Sequence, residues 1–263
     1  MSEHQSEKHM NTTMSEKPDY GNWVSTKLIY TFGAISLLFF VLSLLLPILV
    51  VVAGIALLIA AYFAYAHYEF SAGGENIQSK IQDRVVEHLD WDGQGKALDI
   101  GCGAGPLAIK LAHKFPSAQV TGVDSWGAMW QYSQSGCERN AEIEGVADQV
   151  TFQKGTAAAL PFADGAFDAA VSNLTFHEVH EVKDKRDVLR EALRVVKKGG
   201  RFAFQDLFEE PHMYGEMDDL IAALKRWGVT KVAFDKTNDA TFIPKALKLP
   251  FMVGTIGVLY GEK

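Results

Sequence analysis

Residues 97–112 read ALDIGCGAGPLAIKLA. A small-hydrophobic strand runs into glycines at 101, 103 and 105, then into a stretch with helical spacing of apolar residues. Glycine lacks a Cβ and tolerates positive φ, so such a loop lets backbone approach a ligand closely. Two phosphate-binding readings fit poorly. The dinucleotide fingerprint G-x-G-x-x-G needs glycine at 106, where this chain has Pro106, a residue suited to the first turn of a helix. No G-x-x-x-x-G-K-[ST] loop is present. Asp99, just upstream, sets a carboxylate beside the loop, which repels a pyrophosphate and attracts an ammonium. Asp124 ends the strand-like VTGVD, 23 residues after Gly101, where a carboxylate can accept two hydrogen bonds from a ribose diol. A ribose, a cationic group and little phosphate make the inventory of S-adenosylmethionine (SAM).

Outward from the loop, short apolar runs alternate with helical stretches. Strands are expected at 97–100, 119–123, 150–153, 168–172 and 201–205, and helices near 106–114, 127–144 and 184–197. Gly199-Gly200 reads as a helix stop before the fifth strand. A last helix near 216–227 is followed by the runs TKVAFD and GTIGVLYG. The alternation predicts βαβ units on a mostly parallel sheet.

LDIGCGAG at 98–105, VD at 123–124, LPFADGAFDAAVSN at 160–173 and ALRVVKKGGRF at 192–202 together resemble class I SAM-dependent methyltransferases, over about residues 75–263. The resemblance is closest to the branch acting on quinones, lipids and other small molecules. It implies an α/β, Rossmann-like fold: a mostly parallel seven-stranded sheet with helices on both faces and the last strand inserted antiparallel. It implies SAM as cofactor and S-adenosylhomocysteine as product. On the same basis Asp99, Gly101, Gly103 and Gly105 surround the methionine part, with Cys102 a small filler, and Asp124 takes the ribose. Ser125 and Trp126 follow and flank the adenine, although a core position would equally suit Trp126. Thr156 and Ala157 stand where relatives often have aspartate and alanine, so the adenine contact falls to a hydroxyl or a backbone group. Asn173 matches a position near the sulfonium.

Methyl transfer needs alignment and exclusion of water, and it needs a base only when the acceptor arrives protonated. NLTFHEVHE at 173–181 supplies His177 as the first candidate, with Asp206 at the end of FAFQD and Tyr214 in the following loop. His180, Glu181 and His212 read as solvated or surface residues. His177 and His180 are three apart rather than four, so no metal site is expected. The formal net charge of −7, and the absence of an Asn/Asp-Pro-Pro-Tyr element after the fourth strand, speak against nucleic acid as partner.

Residues 1–27 read as a polar, disordered tail, with His4 and His9 solvated. The 39 residues Leu28–Ala66 carry no charge. One membrane crossing needs about 20 residues, so two spans, Leu28–Leu46 and Pro47–Ala66, are expected in a hairpin covering 28–68. The apex SLLLPI has no charged group, so the hairpin crosses with a tight turn or dips and returns; a buried soluble hairpin would satisfy the same composition. Tyr30 at one end and Tyr62, Tyr65 and Tyr68 at the other suit an interface, and Lys17 and Lys27 favour a cytoplasmic tail. Residues 69–96 form a linker and an amphipathic helix with Ile77, Ile81, Val85 and Leu89 on one face, packed on a domain spanning 97–263. Cys102 and Cys137 lie far apart and suggest no disulfide framework.

The function these features predict is a membrane-anchored, multi-pass methyltransferase with its catalytic domain facing the cytoplasm. Its acceptor is expected to be a hydrophobic small molecule: a lipid amine, a quinone-type phenol or a thiol. Gly33, Ala34, Gly54 and Ala56 could pair hairpins into a homo-oligomer. The alternative is a non-catalytic SAM-binding membrane scaffold or sensor. A nicotinamide oxidoreductase is disfavoured by Pro106 and Asp99.

Overall fold

Strands β1 (Gly95–Ile100), β2 (Ala118–Asp124), β3 (Val150–Lys154), β4 (Phe167–Asn173), β5 (Val196–Asp206), β6 (Lys231–Lys236) and β7 (Gly257–Glu262) form one sheet in the order β3-β2-β1-β4-β5-β7-β6. This is a computed structural model, and it describes residues 17–127 and 132–263. The first five strands run parallel, and β7 is antiparallel to both its neighbours. The interior strands are largely buried, as in Phe167–Asn173, because helices cover both faces. Strand order reverses between β1 and β4, and open α/β sheets bind ligands at the carboxyl ends of the strands at that point.

Helices α1 (Thr26–Leu42) and α2 (Leu49–Phe70) form the hairpin; α3 (Ile77–His88), α4 (Pro106–Lys114), α5 (Gln134–Ile143), α6 (Lys185–Arg194), α7 (Pro211–Tyr214) and α8 (Met217–Arg226) belong to the domain. The α3 face expected from Ile77, Ile81 and Val85 is fully buried, together with Gln78 and Gln82. The helix expected over 127–144 starts only at Gln134, where the Ser133 hydroxyl caps it by accepting from Gly136 N at 3.1 Å; residues 128–131 lie outside the described residues. Gly199-Gly200 is not a helix stop. Helix α6 ends at Arg194 and β5 begins at Val196, with the glycines inside the strand where its register against β4 shifts.

The hairpin forms with boundaries different from the expected 28–46 and 47–66. Helix α1 has 17 residues and α2 has 22, with the turn at Ser43–Ile48. Among the described residues, α2 alone is long and apolar enough to cross a membrane. The helices touch along Ala53, Ala56 and Ala60 of α2, and Ser36 Oγ donates to Ala53 O at 2.9 Å. The lower end of α2 is domain core: Ala66 and Phe70 pack with Val24, Ile77, Ile81, Ile243 and Ile256.

The polar-tail reading of residues 1–27 is corrected at its end. Residues 1–16, with His4 and His9, lie outside the described residues. Asp19–Val24 form a strap bonded to the domain. Asp19 N donates to Asn140 Oδ1 at 2.9 Å and Asn140 Nδ2 donates back to Asp19 O at 2.8 Å. Trp23 N donates to Gln78 Oε1 at 3.0 Å, and His67 Nδ1 bonds Val24 O at 2.7 Å. These are backbone-to-side-chain bonds, which leave no apolar periodicity to read.

Candidate functional site

The glycine loop is built by its own backbone. Gly101 N donates to Val123 O at 2.7 Å, and Gly105 N to Cys102 O at 2.7 Å. Gly101 has φ +72°, and a Cβ there would lie 2.1 Å from the Thr175 side chain. Gly105 at φ +87° caps α4, and Pro106 takes the first helical position.

Asp124 holds the loop in shape. Its Oδ2 accepts from Gly103 N at 2.9 Å and its Oδ1 from Trp126 N at 2.8 Å. A carboxylate oxygen has two lone pairs, so each keeps one for a ligand hydroxyl. Asp99 is buried and accepts from Ala108 N at 3.0 Å. Burial pushes its carboxyl up to about 8, opposed by the Ala108 bond and helped by the nearby charge of Asp124.

One cavity of about 640 Å³ opens from this loop. Asp99, Gly101, Cys102, Gly103, Asp124, Ser125, Thr156, Ala157, Asn173 and His177 all line it. The Thr156 hydroxyl accepts from Ala158 N at 3.2 Å and retains its own proton to donate. Asn173 Oδ1 is held by Gln205 Nε2 at 2.6 Å.

Four expected site residues do not line the cavity. Gly105 is conformational, as its φ shows. Trp126 turns away, its Nε1 donating to Gly103 O at 2.9 Å while the ring packs on the core. Asp206 is fully buried behind His177, accepting from Phe176 N and Leu207 N, each at 2.8 Å. Tyr214 is fully buried against Phe208, with ring centroids 4.8 Å apart. Its hydroxyl makes no hydrogen bond of normal geometry, and burial with the nearby Asp206 charge raises its pKa, so it neither meets a ligand nor ionises. These two are therefore not catalytic residues: Asp206 positions, and Tyr214 packs.

His177 Nδ1 lies 2.8 Å from Asp206 Oδ1. That carboxylate is an acceptor, so the histidine carries its proton on Nδ1 and leaves Nε2 to accept one. Burial pulls the His177 pKa down, but the bond and charge of Asp206, with Glu178 beside it, outweigh burial and hold it above the ordinary value. Glu178 Oε1 is 3.4 Å from Nε2.

Sequence reasoning missed several lining residues. Tyr20, Trp23 and Val24 come from the strap, and Gln78 and Gln82 from α3. The two glutamines were findable, because polar residues four apart on an otherwise apolar helix face need partners. Leu28, Phe63 and Phe70 of the hairpin and Pro250–Val253 before β7 complete the wall.

A glycine loop after β1, a carboxylate ending β2 and a histidine after β4, on this sheet order, resemble the site of a class I SAM-dependent methyltransferase domain. Residues 98–204 match the family described as "Methyltransferase domain". Methyltransferase GfsG of Streptomyces halstedii is 33% identical over 148 residues, 55% of this chain and 48% of that protein. Demethylmenaquinone methyltransferase of Thermotoga maritima is 32% identical over 131 residues, 50% of this chain and 52% of that protein. The chain thus spans about half the length of these curated relatives. The crystal structure of the [4+2]-cyclase SpnF superposes with a TM-score of 0.52 at 21% identity, covering 70% of this chain and 78% of that one, and shows the shared fold.

Proposed function

We propose that this chain is a membrane-anchored SAM-dependent methyltransferase whose acceptor is a hydrophobic small molecule dissolved in the bilayer, with the catalytic domain on the cytoplasmic side. The observation that carries the reading is the cavity's extent. It begins at the glycine loop and ends among Leu28, Phe63 and Phe70 at the base of the hairpin. Of the large hydrophobic side chains exposed on the described surface, all but Leu249 and Phe251 lie between Leu28 and Tyr68. A contiguous apolar surface of this kind marks a membrane or protein contact. The similarity to a demethylmenaquinone methyltransferase supports an apolar acceptor.

The residues present fit the cofactor. Asp99 is a buried carboxyl that an ammonium would ionise, Asp124 offers free lone pairs to a ribose, and Gly101 and Gly103 leave a wall without side chains. When bound, SAM supplies a methyl group whose bonding electron pair stays on sulfur as the group leaves. The chain's part is to align and to take a proton. The hydrophobic wall excludes water from the acceptor. Asp206 fixes the ring of His177, and Nε2 can accept the proton of a phenol, thiol or ammonium.

The test supplies the full-length protein in vesicles with methyl-labelled SAM and a lipid extract. Label is expected in an organic-soluble product. Label confined to protein or water-soluble products overturns the proposal.

A further inference from the structure

We infer that the acceptor presents an uncharged or cationic end to the site, that Glu178 and Glu181 exclude anionic ends, and that the tail leaves through a mouth between the hairpin base and residues 250–253. This rests on the methyltransferase reading above. Among the described residues, every formally charged side chain lining the cavity is acidic: Asp99, Asp124, Glu178 and Glu181. Among the described residues, no lysine or arginine lines it. The ammonium of Lys185, whose charge opposes protonation of His177, is turned onto the carbonyls of Val179 at 2.6 Å and Val182 at 3.2 Å. An anionic head placed beside His177 would lie against Glu178, while the ring is already committed to Asp206, so the head would meet a like charge and gain no unpaired cation.

The other end of the cavity has the opposite character. Leu28, Phe63, Phe251 and Met252 form it. Phe251 is 67% exposed, yet its ring sits 6.1 Å from that of Tyr62 on α2, and Tyr62 OH donates to Ala246 O at 3.0 Å. The segment is therefore fastened to the hairpin base, beside the helices that carry the rest of the exposed apolar surface. An acceptor with a long apolar tail can place its head near His177 while the tail stays among these side chains.

The experiment uses the full-length protein in phosphatidylcholine vesicles with three amphiphiles: hexadecylamine, a long-chain alkylphenol and hexadecanoate. Binding is measured to the protein loaded with S-adenosylhomocysteine, and methyl transfer is measured with SAM. The amine or the phenol is expected to bind at least about tenfold more tightly than the carboxylate. Glu178→Gln with Glu181→Gln is expected to close most of that gap. Phe251→Asp, on an exposed side chain, is expected to weaken all three amphiphiles while leaving SAM affinity unchanged. Equal or tighter binding of the carboxylate, or selectivity unchanged in the double variant, overturns the charge filter. Unweakened binding in Phe251→Asp overturns the mouth. Selective binding with no methylated product of any kind would instead count against the methyltransferase reading and leave the filter standing.

Discussion

Asp99 is a carboxyl held neutral by burial at the place where a cationic ligand group is expected. With its pKa pushed up to about 8, it carries a proton near pH 7 in the free protein. A cation bound against it favours the ionised form, so binding must expel that proton. SAM binding followed by calorimetry near pH 7, in buffers of different ionisation heat, should show release approaching one proton, and Asp99→Asn should abolish it. The same group works against stability as pH rises. The folded state retains a proton that the unfolded chain loses near its ordinary value of 3.8, so the contribution of Asp99 falls between about 4 and about 8. The melting temperature of the wild type should accordingly decline relative to Asp99→Asn over that interval. His177 gives the second test at this scale. His177→Gln should lower methyl transfer to a phenol or ammonium by roughly 10²-fold or more with SAM affinity unchanged. Asp206→Asn removes the interaction that raises the His177 pKa, so the acid limb of the pH–rate profile should move to lower pH; a limb that stays in place rules out the pairing. Asp99 and Asp124 were legible in the sequence because their spacing from the glycines fixes them at strand ends. The roles of Asp206 and Tyr214 were not, because being at the end of a strand or in a loop does not say which way a side chain points.

Among the elements, regular pattern decided what could be read. The seven strands and α3 announce themselves through apolar runs and a spacing of four. The strap at Asp19–Val24 does not, because it is held by polar bonds to Asn140, Gln78 and His67 rather than by a periodic apolar face. Its Tyr20, Trp23 and Val24 wall the cavity beside the glycine loop, where a strap that gates the site would yield as a ligand enters or leaves. Gln78 is its main fastening on α3: Oε1 accepts from Trp23 N at 3.0 Å and Nε2 donates to Gly21 O at 3.5 Å. Each such bond contributes about 0.5–1.5 kcal/mol net. Gln78→Ala should therefore speed release of S-adenosylhomocysteine about tenfold in a dissociation time course, with the far-ultraviolet circular dichroism unchanged. An unchanged release rate would mean that the strap does not gate the site.

For the whole molecule, the membrane-anchor proposal turns on how deeply a hairpin rooted in the domain core can reach into a bilayer. Its base is fixed, because Ala66 and Phe70 pack with Ile77, Ile81 and Ile243 of the domain. From that base α1 runs 17 residues, about 25 Å at 1.5 Å per residue, before the turn. The hydrocarbon core is about 30 Å thick. On the membrane-anchor proposal, the Ser43–Ile48 turn, with Leu44 79% and Leu45 86% exposed and no charged group, would lie inside hydrocarbon, short of the far headgroups. The uncharged apex is legible in the sequence, where crossing and dipping are equally open; on the same proposal the 17-residue α1 favours a hairpin that dips and returns. Lysines at the apex then cost about 2.5–3.5 kcal/mol each, as charges near the centre of a bilayer do. Leu44→Lys with Leu45→Lys should strip the protein from floated vesicles while leaving SAM affinity intact, since the apex lies far from the glycine loop. A hairpin that crosses completely would put those lysines among the far headgroups and keep flotation, and a cysteine at position 45 would then react with an impermeant reagent enclosed in the vesicle lumen.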